Sequence, residues 1–229
     1  MNRLDVFNRV KQVGIIPALR SSNPSEAVHA AAAIQEGGIS VIEVSLALPG
    51  ALQVLEAVAR IHANNTLVGA GSVVDVEGVR RASHAGARFI VTPGFSSEAV
   101  AEAARLDLAI FVGAITPTEV QIASASGADA VKLFPCYAMG GPRYLKSLRG
   151  QYPHVAFIAS GGVGLSDCIE YFLAGACAIG VGGEIADAES MASGNHRLFT
   201  VRSKRFLKVM NEAGVLRDNA GSVEAEKHR

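Results

Sequence analysis

The sequence predicts a single-domain α/β fold, a (β/α)8 TIM barrel, and three observations point to it. Eight apolar, strand-like runs begin near Ile15, Ser40, Thr66, Arg88, Ala109, Asp129, Val155 and Cys177. Their spacing of roughly 20–26 residues is the length of one βα unit in such a barrel. Several runs, among them Phe89-Ile90-Val91 and Ile110-Phe111-Val112, are apolar without interruption, as strands covered on both faces are. Helix-forming segments separate them, with Ala30 to Ala33 and Ala99 to Ala104 rich in alanine. An open, doubly wound sheet would share these local patterns, but eight regular units favour closure.

In chain order, residues 1–12 read as an amphipathic helix with Leu4, Val6, Phe7 and Val10 as its apolar positions. Asn23-Pro24-Ser25-Glu26 and Thr116-Pro117-Thr118-Glu119 each offer a capping residue, then proline at the first helical position, then glutamate two residues on. Glycines gather where the strands end, at Gly69-Ala70-Gly71-Ser72, Pro93-Gly94, Gly113, Gly161-Gly162 and Gly180-Val181-Gly182-Gly183. Those ends form the active-site face of a barrel, although turn chemistry accounts for any single glycine. Leu198 to Gly214 reads as a closing helix with a basic face of Arg202, Lys204, Arg205 and Lys208. The expected barrel, with its N- and C-terminal helices, covers residues 1–216, and residues 217–229 form a polar tail expected to be disordered.

Composition narrows the function. With 21 basic and 21 acidic residues among 229, formal net charge is zero, so nothing points to nucleic acid or an anionic membrane as a partner. No apolar run reaches the length of a membrane span, and Met1-Asn2-Arg3-Leu4-Asp5-Val6 lacks a signal-peptide core. The three cysteines, Cys136, Cys168 and Cys177, are odd in number and widely spaced, so a reduced, cytoplasmic compartment is expected. The six histidines show no HxH or HExxH spacing, and no metal site or cofactor is expected. Gly180-Val181-Gly182-Gly183 is only a weak phosphate-loop signal, and no GxSxG or Walker sequence is present.

Chemistry concentrates in Asp129-Ala130-Val131-Lys132-Leu133-Phe134-Pro135, a short apolar strand with a lysine at its centre. Alternation puts Ala130, Lys132 and Phe134 on one face, and Val131 and Leu133 on the other. An ammonium in apolar surroundings loses hydration, which favours the neutral amine, and a neutral amine can form a Schiff base with a carbonyl. The heptapeptide alone fits equally a lysine whose stem packs while its head reaches water. The second strand, Val41-Ile42-Glu43-Val44-Ser45, carries a carboxylate on the face shared by Val41 and Ser45. Glu43 fits proton transfer beside an imine, or a structural ion pair; together with Lys132, catalysis is the favoured reading. Arg20 ends the first strand, where a guanidinium suits a clamp on a carboxylate or sits as a plain surface residue.

These stretches, taken together from about Ile15 to Ile185, resemble the bacterial 2-keto-3-deoxy-6-phosphogluconate / 4-hydroxy-2-oxoglutarate aldolases. The ordered matches are Ile16-Pro17-Ala18-Leu19-Arg20, Gly37-Gly38-Ile39, Ile42-Glu43-Val44, Val68-Gly69-Ala70-Gly71-Ser72-Val73 and Val91-Thr92-Pro93-Gly94. They continue through Ile115-Thr116-Pro117-Thr118-Glu119, Val131-Lys132-Leu133-Phe134-Pro135 and Ser160-Gly161-Gly162-Val163. The resemblance implies a class I, metal-independent aldolase on a TIM barrel, usually a homotrimer, acting on a small-molecule 2-oxo acid. It implies Lys132 as the Schiff-base lysine, Glu43 as the general acid/base, and Arg20 as the carboxylate clamp. In other members that arginine follows the strand bearing the glutamate, where this chain has Leu46-Ala47-Leu48-Pro49. Ser72 (usually threonine), Pro93 and Phe134 fall on the pyruvyl pocket, and Ser160, Gly161, Gly162, Gly182 and Gly183 on the end that holds the substrate tail. Two departures lie there: Ser160 replaces a threonine, and Gly183 stands where a phosphate-binding serine is common, followed by Glu184.

The expected function is reversible cleavage of a 2-oxo-4-hydroxy acid to pyruvate and an aldehyde. The candidate substrates are 2-keto-3-deoxy-6-phosphogluconate, its unphosphorylated or galactonate analogue, and 4-hydroxy-2-oxoglutarate. The alternatives are a catalytically silent barrel that binds a 2-oxo acid, and a phosphate-binding barrel isomerase working without an imine.

Overall fold

A computed structural model describes residues 1–62 and 64–216; the polar tail 217–229 lies outside the described residues. Eight parallel strands, β1 (Ile15–Leu19), β2 (Val41–Ser45), β3 (Leu67–Gly71), β4 (Phe89–Val91), β5 (Ala109–Ala114), β6 (Ala130–Leu133), β7 (Phe157–Ser160) and β8 (Ala176–Val181), pair in chain order. The barrel closes where β8 pairs with β1. Helix α1 (Arg3–Val13) precedes it. The outer ring comprises α2 (Pro24–Glu36), α3 (Ala51–His62), α4 (Val76–His84), α5 (Ser97–Arg105), α6 (Pro117–Ala125), α7 (Pro142–Gln151) and α8 (Cys168–Leu173). The short α9 (Ala188–Ala192) and long α10 (Arg197–Glu212) end the described chain, and a 3-10 turn, Cys136–Met139, follows β6. The fold is the expected TIM barrel.

The expected helix starts are present. The Asn23 side chain accepts from the Ser25 and Glu26 N–H groups ahead of α2. Thr116 and Glu119 form a reciprocal capping box on α6, each satisfying a backbone donor that the helix leaves free.

Alternation along each strand divides the core into two layers. Val131 and Leu133 of β6, Ile42 and Val44 of β2, and Ile110 and Val112 of β5 face outward into the layer under the helices. Ile16, Val41, Phe89, Val91, Phe111, Ala130, Ile158 and Ala178 fill the barrel interior. Helix α1 closes the N-terminal end: Val6 and Val10 are buried in that interior cluster, and the Phe7 ring lies 6.0 Å from Phe111, itself 5.4 Å from Phe89. Leu4, expected on the apolar face, is 62% exposed. Two residues advance a helix by roughly 200°, so burying Val6 turns Leu4 to solvent. Helix α10 buries Phe199, Phe206 and Met210 and exposes Lys204, Arg205 and Lys208, while Arg202 turns partly inward to pair with Asp187.

The interior plug is therefore packed by aromatic residues that α1 holds in place. Phe111→Ala should lower the unfolding free energy by about 3–5 kcal/mol, the usual cost of truncating a buried aromatic. Urea denaturation followed by circular dichroism measures it, and a loss below about 1 kcal/mol would show that this layer is loosely packed.

Candidate active site

At the C-terminal end the interior changes character. Lys132 on β6 and Glu43 on β2 both point inward, as alternation requires, and the Lys132 Nζ lies 3.6 Å from a Glu43 carboxylate oxygen. Strands β2 and β6 are four apart in either direction around the barrel, so the two side chains meet across its axis. Both residues are buried, at 9% and 6% exposure. The Lys132 Nζ also lies 5.2 Å from the centre of the Phe134 ring, two residues on along the same face.

Small residues flank this pair in the strand ladders. Gly113 of β5 stands beside Lys132, and Ala18 of β1 and Gly69 of β3 flank Glu43. At Gly71 a Cβ would overlap the Glu43 carboxylate, so only glycine lets the side chain lie where it does. A Cβ at Gly113 would likewise overlap the Pro93 carbonyl, which folds over the end of β5. Thr92, buried beside it, accepts a hydrogen bond from the Gly113 N–H at 3.1 Å.

Ser72, at the end of β3, is one of two non-glycine residues with positive φ among those described, at 60°. That left-handed backbone costs a side-chain-bearing residue about 1–2 kcal/mol. Its hydroxyl lies 3.0 Å from that of Ser45, the last inward residue of β2, which helps hold the turn against the Glu43 strand. Sequence reasoning placed Ser45 inward without giving it a role. The contact unites two strands distant in sequence, and no local pattern marks it.

The remaining residues lie around the rim. Arg20, directly after β1, is exposed, and its side chain makes no hydrogen bond or ion pair among the described residues. Phe134 is half-buried and Pro93 exposed, whereas Ser160 ends β7 with its hydroxyl against Gly180 of β8. Gly161 and Gly162 both have positive φ, and Gly162 backs onto Tyr137. The Cys136 thiol lies 3.0 Å from the Gly161 carbonyl and 3.1 Å from the Tyr171 hydroxyl. Burial raises the pKa of the thiol and of the Tyr171 phenol, so both stay protonated and able to donate. This contact ties the segment after β6 to the glycine turn after β7; sequence reasoning had treated Cys136 only as one of three spaced cysteines.

Gly182 and Gly183 open the turn after β8, where the Gly182 carbonyl accepts from the Ile185 and Ala186 N–H groups. The N–H groups of Gly162, Val163, Gly183 and Glu184 donate to no acceptor among the described residues. The Glu184 carboxylate carbon comes within 3.6 Å of the point where a Gly164 Cβ would lie, so this exposed side chain reaches across to the turn after β7. Among the described residues no group of three or more His, Cys, Asp or Glu side chains is placed to hold a metal ion, and no helix is long and apolar enough to cross a membrane.

Comparison with known proteins agrees with this architecture. The family model for KDPG and KHG aldolase matches residues 6–201. The 2-dehydro-3-deoxy-phosphogluconate aldolase of Treponema pallidum (strain Nichols) is 31% identical over 208 residues, covering 90% of this chain and 98% of the relative. The 2-dehydro-3-deoxy-6-phosphogalactonate aldolase of Escherichia coli (strain K12) is 32% identical over 172 residues, 75% of this chain and 83% of the relative. Among solved structures, the KDPG aldolase of Legionella pneumophila, with pyruvate captured at low pH as a covalent carbinolamine intermediate, superposes with a TM-score of 0.82. It is 28% identical, and the match covers 89% of this chain and 97% of that one.

A TIM barrel with an amine and a carboxylate meeting at its C-terminal end, and with relatives of this kind, is an enzyme of the lyase class, an aldolase. The chain belongs to the KDPG and KHG aldolase family.

The crowding at Gly71 makes a direct test of the site's geometry. Gly71→Ala should fold, with far-UV circular dichroism like the wild type, but displace the Glu43 carboxylate. A displacement on the order of 1 Å lowers kcat about a hundredfold. Turnover within a few-fold of wild type would mean that the position of Glu43 does not matter.

Proposed function

We propose that the protein is a class I aldolase that cleaves a 2-oxo-4-hydroxy acid reversibly to pyruvate and an aldehyde, with Lys132 as the imine-forming residue. The observation that carries this reading is the Lys132–Glu43 pair, 3.6 Å apart and buried at the end of the barrel where such enzymes bind substrate. With its proton passed to Glu43, the Lys132 amine adds to the C2 carbonyl to form a carbinolamine, and Glu43 returns the proton as water leaves, giving a protonated imine. Glu43 takes the proton from the C4 hydroxyl, the C3–C4 bond breaks, and its electron pair moves into the imine, giving an enamine and the aldehyde. Glu43 then returns a proton to C3, and water hydrolyses the imine to release pyruvate.

Arg20, with no partner of its own, supplies the guanidinium for the substrate carboxylate, and Ser72, Pro93 and Phe134 line the pyruvyl end. Ser160, Gly161, Gly162, Gly182 and Gly183 hold the tail. The free N–H groups in the turns after β7 and β8 support an oxygen-rich tail there. The family resemblance makes a cytoplasmic homotrimer the expected form.

Borohydride reduction in the presence of pyruvate should add the mass of the reduced adduct to the peptide containing Lys132, and Lys132→Ala should lose it. Glu43→Gln, which keeps the shape without the proton transfer, should turn over ~10²–10⁴-fold more slowly while still trapping pyruvate. Equal labelling in Lys132→Ala would end the imine mechanism.

Glu184 bears on the tail. Its carboxylate reaches toward the turn after β7, where a phosphate would meet a like charge. At about 4 Å and an effective dielectric near 20 such a pair costs on the order of 4 kcal/mol. Discrimination in favour of a phosphorylated tail should therefore be weak. Values of kcat/KM for 2-keto-3-deoxy-6-phosphogluconate, its unphosphorylated form and 4-hydroxy-2-oxoglutarate measure this. A preference above about a thousandfold for the phosphorylated compound would refute it.

A further inference from the structure

A polar cavity opens at the opposite end of the molecule from Lys132. Its walls come from the entrances of β2, β3 and β4 and from α1: Arg9, Ser40, Asn64, Asn65, Thr66 and Arg88 supply the polar groups, and the cavity measures about 480 Å³. That lies within the range of about 300–1,000 Å³ typical of small-molecule sites. Two guanidinium groups line it, and no carboxylate does.

Both cations are uncompensated. Arg9 donates to the Gln12 side chain at 3.0 Å and to the Ser40 hydroxyl at 2.8 Å, and Arg88 donates to the Met1 carbonyl. All three partners are neutral, and neither arginine makes an ion pair among the described residues. The contrast with Arg3, Arg80, Arg105 and Arg202 is plain, since each of those meets an aspartate or glutamate. Two other cavities also differ: Glu36 accompanies Arg197 and Lys204 in one, and Asp75 and Glu77 accompany Arg81 in the other.

We propose that this cavity is a second, non-catalytic binding site for a small oxyanion, a phosphoryl or carboxylate group that the Arg9 and Arg88 guanidinium groups grip together. Paired forks of N–H donors match the oxygens of either anion, the neutral amide and hydroxyl walls add further polar partners, and the ligand's charge offsets the two cations. The site does not rest on the aldolase reading, because none of the residues that line it belongs to the Lys132 end.

The test is calorimetric titration of the full chain at low ionic strength with inorganic phosphate and, separately, with citrate; the stronger binder of the two tells phosphoryl from carboxylate recognition. Arg88→Gln and Arg9→Gln should each weaken that binding at least tenfold and leave kcat for aldol cleavage within twofold. Arg88→Lys, which keeps the charge and loses the fork, should fall between wild type and Arg88→Gln. Raising the salt to about 0.5 M should weaken wild-type binding, as screening requires. Unchanged affinity in both glutamine variants, or no uptake of either anion at millimolar concentration by the wild type, would overturn the proposal.

Discussion

The Lys132–Glu43 contact across the barrel axis is the constraint on which the upper half of the molecule depends. Two charged groups buried together are tolerable only while each compensates the other, and removing one partner of such a pair commonly costs about 3–5 kcal/mol. Their side chains must also reach each other from opposite walls, and a fully packed layer would block them. The interior is therefore built in two halves. Near the N-terminal end Phe89, Phe111, Val41 and Ile158 fill it solidly, with Phe7, Val6 and Val10 of α1 pressed against them. Toward the C-terminal end Gly71 leaves room for the Glu43 carboxylate, Gly113 for the Pro93 carbonyl and Gly180 for Ser160. The same strands pass from one regime to the other within two or three residues.

That division explains what could be seen in the sequence. Period-2 alternation is a local property, so it correctly put Lys132 and Phe134 on one face of β6, and Glu43 and Ser45 on one face of β2. The eight repeats and the capping signals of α2 and α6 are local too. What alternation cannot give is which wall faces which. The distance between Lys132 and Glu43, the hydroxyl contact of Ser45 with Ser72, and the link from Cys136 to Tyr171 and Gly161 all join segments far apart in the chain. Glycine was ambiguous for the same reason. Gly71 looks like a turn residue in sequence, yet what it does is leave room for a carboxylate on the neighbouring strand.

Leu4 shows the complementary failure. Four apolar residues near the start of the chain suggested one continuous face, but α1 meets the barrel through a narrow stripe. Val6 and Val10 lie one turn apart on that stripe and Phe7 beside it, which leaves Leu4 in solvent. A helix laid along a sheet would cover a wider band; one that plugs the circular end of a barrel touches it along a single edge.

The two halves also separate two kinds of specificity. The groups proposed to make the imine and move the proton are rooted in β2 and β6, where strand pairing and the closed barrel fix their register. The groups proposed to meet the substrate tail are backbone N–H donors and side chains of the turns after β7 and β8, which no ladder constrains. A change such as glycine at 183 followed by Glu184 can alter the charge of the tail site while Lys132 and Glu43 remain in place. Barrel enzymes diversify in this way, through loops carried on a rigid frame. Here the frame includes α1, because a barrel open at its N-terminal end would admit water beneath the buried ion pair. Water there would raise the local dielectric and weaken the attraction that holds amine and carboxylate together. The aromatic plug and the paired charges are thus coupled: the packing at one end keeps the electrostatics at the other strong.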